Sequence, residues 1–170
     1  RQTGAELTTL RSGFDAKELD ARKPDLLVLS PGPGCPSDFQ LDHTIEMALD
    51  RNIPLFGVCL GLQGIVEYFG GKLGVLDYPM HGKPSAILTK KCPLFEGIES
   101  GFQAGRYHSL FAKKKKVPEC LRVTAFTEDG VIMAVEHKTL PIVAVQFHPE
   151  SILTEHGKAM IKNFLDMKGA

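Results

Sequence analysis

Pro54-Leu55-Phe56-Gly57-Val58-Cys59-Leu60-Gly61-Leu62-Gln63 changes from an unbroken apolar run to a helical pattern within one residue. Residues 54–58 are too few for a helix and begin at a proline, so they read as a short strand buried on both faces. Leu62, Ile65, Val66 and Phe69 then recur on one helical face, and Gly70-Gly71 stops the helix. Cys59 stands at the junction, flanked two residues away on each side by Gly57 and Gly61. This is the layout of a nucleophile elbow with Cys in place of Ser. A side chain at such a turn projects above the sheet. The glycines leave room for strand and helix to approach closely. The sulfur sits over the electropositive end of a helix, which favours the thiolate form.

The neighbouring segments repeat the strand–helix alternation. Residues 25–30 (Asp-Leu-Leu-Val-Leu-Ser) read as another doubly buried strand, ending in Pro31-Gly32-Pro33-Gly34-Cys35-Pro36. Ser37 and Gln40 have capping-box spacing, and Leu41, Ile45, Ala48 and Leu49 follow at helical intervals. Alternation of this kind implies parallel βαβ units. Residues 5–10 read as a further strand. The middle of the chain differs: 72–76, 85–90, 102–107, 121–127 and 131–137 are strand-like with few helices between them, and Glu128-Asp129-Gly130 is a hairpin signal. Residues 142–146 form a last buried strand. A final helix is expected from near Thr154, burying Met160, Ile161, Phe164 and Leu165. There is no internal repeat.

The 170 residues are one domain's worth. Twenty basic and twenty acidic side chains cancel, which argues against a general nucleic-acid binder. Apolar residues at 43% and charged ones at 24% mark a globular chain with enough material for a core. No apolar run approaches the roughly 18 residues of a membrane span. The four cysteines, Cys35, Cys59, Cys92 and Cys120, are widely spaced, so reduced thiols in a cytoplasmic protein are expected. The single charge run, Lys113 to Lys116, reads as a solvated loop. The chain starts at Arg1 without Met, and Arg1-Gln2-Thr3-Gly4 reads as a helix end closing on glycine. The expectation is a domain lacking its first strand and most of its first helix.

Phe147-His148-Pro149-Glu150 lies just past the strand at 142–146, at the sheet end where Cys59 falls if the strands are parallel. Pro149 biases His148 toward extended geometry. Residues i and i+2 of an extended segment point the same way, so Glu150 would reach one ring nitrogen while the other faces the thiol. The loop 31–36 follows a strand as a dinucleotide fingerprint does, but its three prolines remove donors that a phosphate cradle needs. A rigid loop offering the Gly34 amide to an oxyanion fits better. No His-x-His or His-Glu-x-x-His is present, so no metal site is expected. His43, His137 and His156 read as surface residues, whereas His81 and His108 could line a site.

Three motifs resemble the signatures of triad-type (class I) glutamine amidotransferases, in that family's order and spacing. They are Leu29-Ser30-Pro31-Gly32-Pro33-Gly34, Gly57-Val58-Cys59-Leu60-Gly61-Leu62-Gln63 and Gln146-Phe147-His148-Pro149-Glu150-Ser151. The resemblance spans all 170 residues. Met80-His81-Gly82-Lys83 and Arg106-Tyr107-His108-Ser109-Leu110 are similar to the chorismate-using branch, the glutaminase parts of anthranilate synthase and aminodeoxychorismate synthase. The start of the chain looks most like the form fused behind the synthase. Leu62 departs from the family, where many members carry His.

The resemblance implies an α/β, flavodoxin-like fold: a mostly parallel central sheet flanked by helices, with an added antiparallel strand region. It implies a Cys59–His148–Glu150 triad, an oxyanion hole from the amides of Gly34 and Leu60, and a glutamine site formed by Gly32, Pro33, Gly34, Gln63, Ser109 and Leu110. It further implies no cofactor for glutamine hydrolysis, Mg2+ only in the partner, and a chorismate-using synthase as that partner. The product it implies is anthranilate, and three alternatives stay open: the glutaminase component of aminodeoxychorismate synthase, a γ-glutamyl hydrolase using the same triad, and a catalytically idle scaffold that regulates a synthase.

Overall fold

A computed structural model describes residues 4–167. The reading of a helix end at residues 1–4 lies largely outside the described residues. Seven strands form one sheet in the order β1 (Leu27–Leu29), β2 (Leu55–Val58), β9 (Ile142–Val145), β8 (Ile132–His137), β7 (Leu121–Phe126), β4 (Lys83–Thr89) and β5 (Phe102–Arg106). The ladders β1–β2–β9 are parallel, and from β9 outward each neighbour is antiparallel. β3 (Leu73–Val75) and β6 (Leu110–Ala112) make a separate antiparallel pair. This is the α/β architecture expected, with the antiparallel region carried by the middle of the chain.

The alternation along β9 shows how the sheet is covered. Ile142 and Ala144 join a core with α2 (Leu41–Asp50) and α3 (Leu60–Tyr68), whereas Val143 and Val145 join a second core on the other face with α4 (Gly157–Asp166). Both faces of the central strands are therefore apolar, the pattern of a covered parallel sheet. Phe56 stacks on Phe164 of α4 with ring centroids 4.9 Å apart. Among the described residues no helix is long and apolar enough to cross a membrane.

Several local expectations need correction. Residues 5–10 are not a strand, and Leu7 is 81% exposed. A strand needs a ladder neighbour, and the sheet ends at β1 without taking up this segment. For the same reason β1 is not buried on both faces: Val28 is half exposed. The capping box is formed by Cys35 and Asp38, not Ser37 and Gln40, and opens a short 3-10 turn at Pro36–Phe39. Gln40, with φ 51°, breaks that turn from α2. The last helix begins at Gly157, and Ile161 and Leu165 are only half-buried. Helix α1 (Ala16–Arg22) was not expected. Asp15 caps it by accepting from the Glu18 amide at 2.9 Å, and Leu19 is its buried anchor. The lysine run is exposed, as expected, but coiled into a 3-10 turn.

Candidate active site

Cys59 joins β2 to α3, and its amide donates to the Val145 carbonyl of β9 at 2.8 Å. The parallel ladder thus runs one residue past the strand into the elbow. Cys59 has φ 53° and ψ −99°, a strained conformation for a residue with a side chain, costing on the order of 1–3 kcal/mol. The surroundings hold it there. A Cβ at Gly57 would lie 2.7 Å from the Gly61 carbonyl carbon, and one at Gly61 would strike the Leu29 carbonyl. Both glycines are required for β1, β2 and α3 to meet as closely as they do.

His148 follows β9, the hydrogen-bonded neighbour of β2. The structure brings it to the same sheet end as Cys59. Its backbone is tied on both sides: the amide donates to Gly105 at 3.0 Å, and the carbonyl accepts from the Thr154 hydroxyl at 2.6 Å. The ring meets the edge of Tyr107, centroids 4.9 Å apart, and Tyr107 is itself joined to Ser151, hydroxyl to hydroxyl at 3.0 Å. His148 Nδ1 bonds Glu150 Oε1 at 2.7 Å. The extended i, i+2 geometry expected for this pair is not what forms. Residues 148–151 make a turn closed by the Ser151 amide on the His148 carbonyl at 3.1 Å, and the turn folds Glu150 back onto the ring.

His148 Nε2 is buried with no hydrogen-bond partner among the described residues. Burial of the ring disfavours its charged form, but Cys59 and Glu150 outweigh that and lift its pKa from the ordinary 6.5 to about 9. Cys59 acts here as a close neighbour rather than through a well-formed bond. Such contacts commonly tighten only when substrate arrives. Burial likewise opposes the Glu150 carboxylate, yet its bond to His148 brings its pKa below the ordinary value.

A cavity of about 310 Å³ opens over Cys59. Gly32, Pro33, Gly34, Gln63, Ser109 and Leu110 all line it, joined by His81, Tyr107 and His108. Of the two expected oxyanion donors, Gly34 lines the cavity, and Leu60 supplies a first-turn amide of α3, which has no intrahelical acceptor. Gly34 has φ 74°, and the space a Cβ would need is filled by the Asp38 carboxylate, which accepts from the Cys35 amide at 2.8 Å. At Gly32 a Cβ would come within 2.9 Å of the Leu60 side chain.

Beneath the cavity lies a polar layer in which Arg106 and Gln146 had no role assigned from the sequence. Arg106, His108, Gln63 and Gln146 are each no more than 3% exposed. Arg106 Nε donates to His108 Nε2 at 3.1 Å, and His108 Nδ1 donates to the Leu110 carbonyl at 2.7 Å. Burial first, and then the Arg106 and His148 charges, bring the His108 pKa down to about 4, so this ring is neutral where His148 is charged. Arg106, Tyr107 and Gln146 were legible only as parts of motifs. Their contacts join positions far apart in the chain.

The family model for class-I glutamine amidotransferases matches residues 1–167. The chain belongs to the class-I glutamine amidotransferases. It is 52% identical over 173 residues to the anthranilate synthase of Azospirillum brasilense, a match covering 100% of this chain and 24% of that protein. It is 42% identical over 166 residues to the aminodeoxychorismate/anthranilate synthase component 2 of Bacillus subtilis, covering 97% of this chain and 86% of that one. A solved structure of a GMP synthase component from Thermoplasma acidophilum superposes with a TM-score of 0.81 at 28% identity, over 91% of this chain and 76% of that chain. This amidotransferase thus resembles both a short separate component and a small part of a long synthase chain.

Proposed function

We propose that this amidotransferase hydrolyses the side-chain amide of glutamine and supplies the ammonia to a chorismate-using synthase that forms anthranilate. The observation that carries the reading is the meeting of Cys59, His148 and Glu150 beside a cavity bordered by Gly34. The Cys59 sulfur attacks the amide carbon as thiolate, its proton already held by His148. Backbone amides of Leu60 and Gly34 hold the oxyanion, each worth about 10²–10³ in rate. Collapse breaks the C–N bond, His148 returns the proton to the leaving nitrogen, and a γ-glutamyl thioester remains. Water then gives a proton to His148 and attacks the thioester carbon. Glutamate leaves, and the Cys59 thiolate beside protonated His148 is restored. Glu150 keeps the imidazole tautomer that this cycle needs. Gly32, Pro33, Gln63, Ser109 and Leu110 hold the amino-acid end of glutamine.

The relative from Azospirillum, named an anthranilate synthase, supports the choice of acceptor. The synthase is another domain or a separate chain, which receives ammonia before bulk water protonates it. The glutaminase step draws on no metal from this chain, and Mg2+ belongs to the synthase. Four free thiols fit a cytoplasmic setting.

The test combines the protein with its native synthase. Cys59→Ala should abolish glutamine-dependent product while product from ammonium salt persists. Joint loss of both would refute the division of labour. Identifying the product formed from chorismate checks the acceptor: aminodeoxychorismate instead of anthranilate would overturn that part.

A further inference from the structure

Gln146 is wholly buried between Val145 and Phe147, which are equally buried. An apolar side chain would suit that position, because an amide whose hydrogen bonds go unmet costs about 1–3 kcal/mol per group. We propose that Gln146 is a positioning residue that steadies the Cys59 sulfur by donating an N–H···S hydrogen bond, with Gln63 fixing the direction of that donation. The inference rests on the glutaminase reading of the site.

The direction follows from groups that have only one role. The Leu110 carbonyl can only accept. It receives the Gln63 amide nitrogen at 3.3 Å as well as the His108 ring. The NH2 end of Gln63 therefore faces inward, and it also meets Gln146 Oε1 at 3.4 Å. With its oxygen occupied as acceptor, Gln146 turns its own NH2 toward Cys59 Sγ, 3.5 Å away. Arg106 can only donate, so His108 Nε2 must accept and its Nδ1 must carry the hydrogen. The His108 tautomer thereby agrees with the same ordering. The sulfur is one terminus of this relay. Nothing in the packing of the sheet requires a donor there, but a nucleophile on a strained turn gains from one.

The test uses the intact protein and 6-diazo-5-oxo-L-norleucine, a glutamine-like electrophile. Limiting inactivation rate and half-saturating concentration are read from the mass added at Cys59. Gln146→Met keeps the volume and removes the donor. Gln146→Glu keeps the shape and the acceptor for Gln63 but turns an oxygen toward the sulfur. Loss of one hydrogen bond to a charged group should lower the limiting rate of Gln146→Met by about tenfold, with half-saturation nearly unchanged. Gln146→Glu should be slower still. If Gln146 served only to hold Gln63, the ranking would reverse and the loss would fall on half-saturation, which would overturn the proposal. Should Gln146→Glu fail to melt cooperatively, Gln146→Met decides alone, and an unchanged limiting rate refutes the role. Wild-type protein left unlabelled at Cys59 would overturn the glutaminase reading, and this inference with it.

Discussion

Replacing Glu150 with Gln should lower the proton affinity of His148 and narrow the pH range in which that histidine stabilises the fold. The ring's pKa stands at about 9 instead of 6.5. At about 1.4 kcal/mol per pH unit, this favours the charged folded form by roughly 3 kcal/mol. Cys59 and Glu150 share that amount against the opposing effect of burial. The Glu150 side chain is 56% exposed, so solvent screens its part. An allotment of about 1–2 kcal/mol to Glu150 is reasonable, and the ring in Glu150→Gln should then titrate roughly one pH unit lower. Because the folded pKa lies above the unfolded one, the stabilisation is complete below pH 6.5 and is lost as pH rises through about 9. Two measurements follow this. Imidazole NMR resonances report the titration directly. Urea unfolding at pH 6 and pH 9.5 should show wild type exceeding the variant by more at the lower pH. A His148 that still titrates at about 9 in Glu150→Gln, or an equal stability difference at both pH values, would refute a share for Glu150 in charging the ring.

Cys59→Gly should abolish turnover and raise the melting temperature above pH 9.5, where the Cys59–His148 contribution is gone, because glycine adopts positive φ without the strain of about 1–3 kcal/mol; a lower melting temperature there would show that the elbow is not strained. Gly34→Ala should cut glutaminase rate by about 10²–10³ with a smaller effect on unfolding, since a methyl group there displaces Asp38 and with it the backbone amide proposed for the oxyanion hole; steady-state kinetics check this. His108→Gln should flatten the acid side of the stability curve. His108 takes up a proton near 6.5 when unfolded and only at about 4 when folded, so wild type loses up to about 3 kcal/mol between those values and the variant should not; urea titrations at pH 7 and pH 4.5 compare them. An electrophile should spare Cys92, where burial first and a neighbouring Glu136 next push the thiol up to about 12; peptide mass mapping reads the adduct.

The elbow was legible because its signals are local: an apolar run, two glycines and a helical repeat fall within a dozen residues. The same holds for the β7–β8 hairpin at Gly130, which has φ 81°. Residues 5–10 misled because a short stretch can suit a strand without having the neighbour a strand needs. Val28 misled because an apolar run cannot report whether its strand is central or terminal. The turn that brings Glu150 to His148 was hidden, since Pro149 permits both an extended and a turned path. Arg106, His108 and Gln146 acquire their contacts only when β5, β6, α3 and β9 converge, and no spacing rule encodes that.

In the β2–β9 ladder, Val58 lies opposite Val145 and Gly57 opposite Ala144. The next step of that register sets Cys59 opposite Gln146, and His148 follows two residues later, past the end of the ladder. Between residues 60 and 141, Gly105 and Tyr107 also hold His148, so the length of that stretch can vary only where it leaves β5 in place. Peptide tags inserted at the Gly130 hairpin tip should leave the reactive pair intact, whereas a single residue added within either of those two neighbouring strands would turn its side chains to the opposite face.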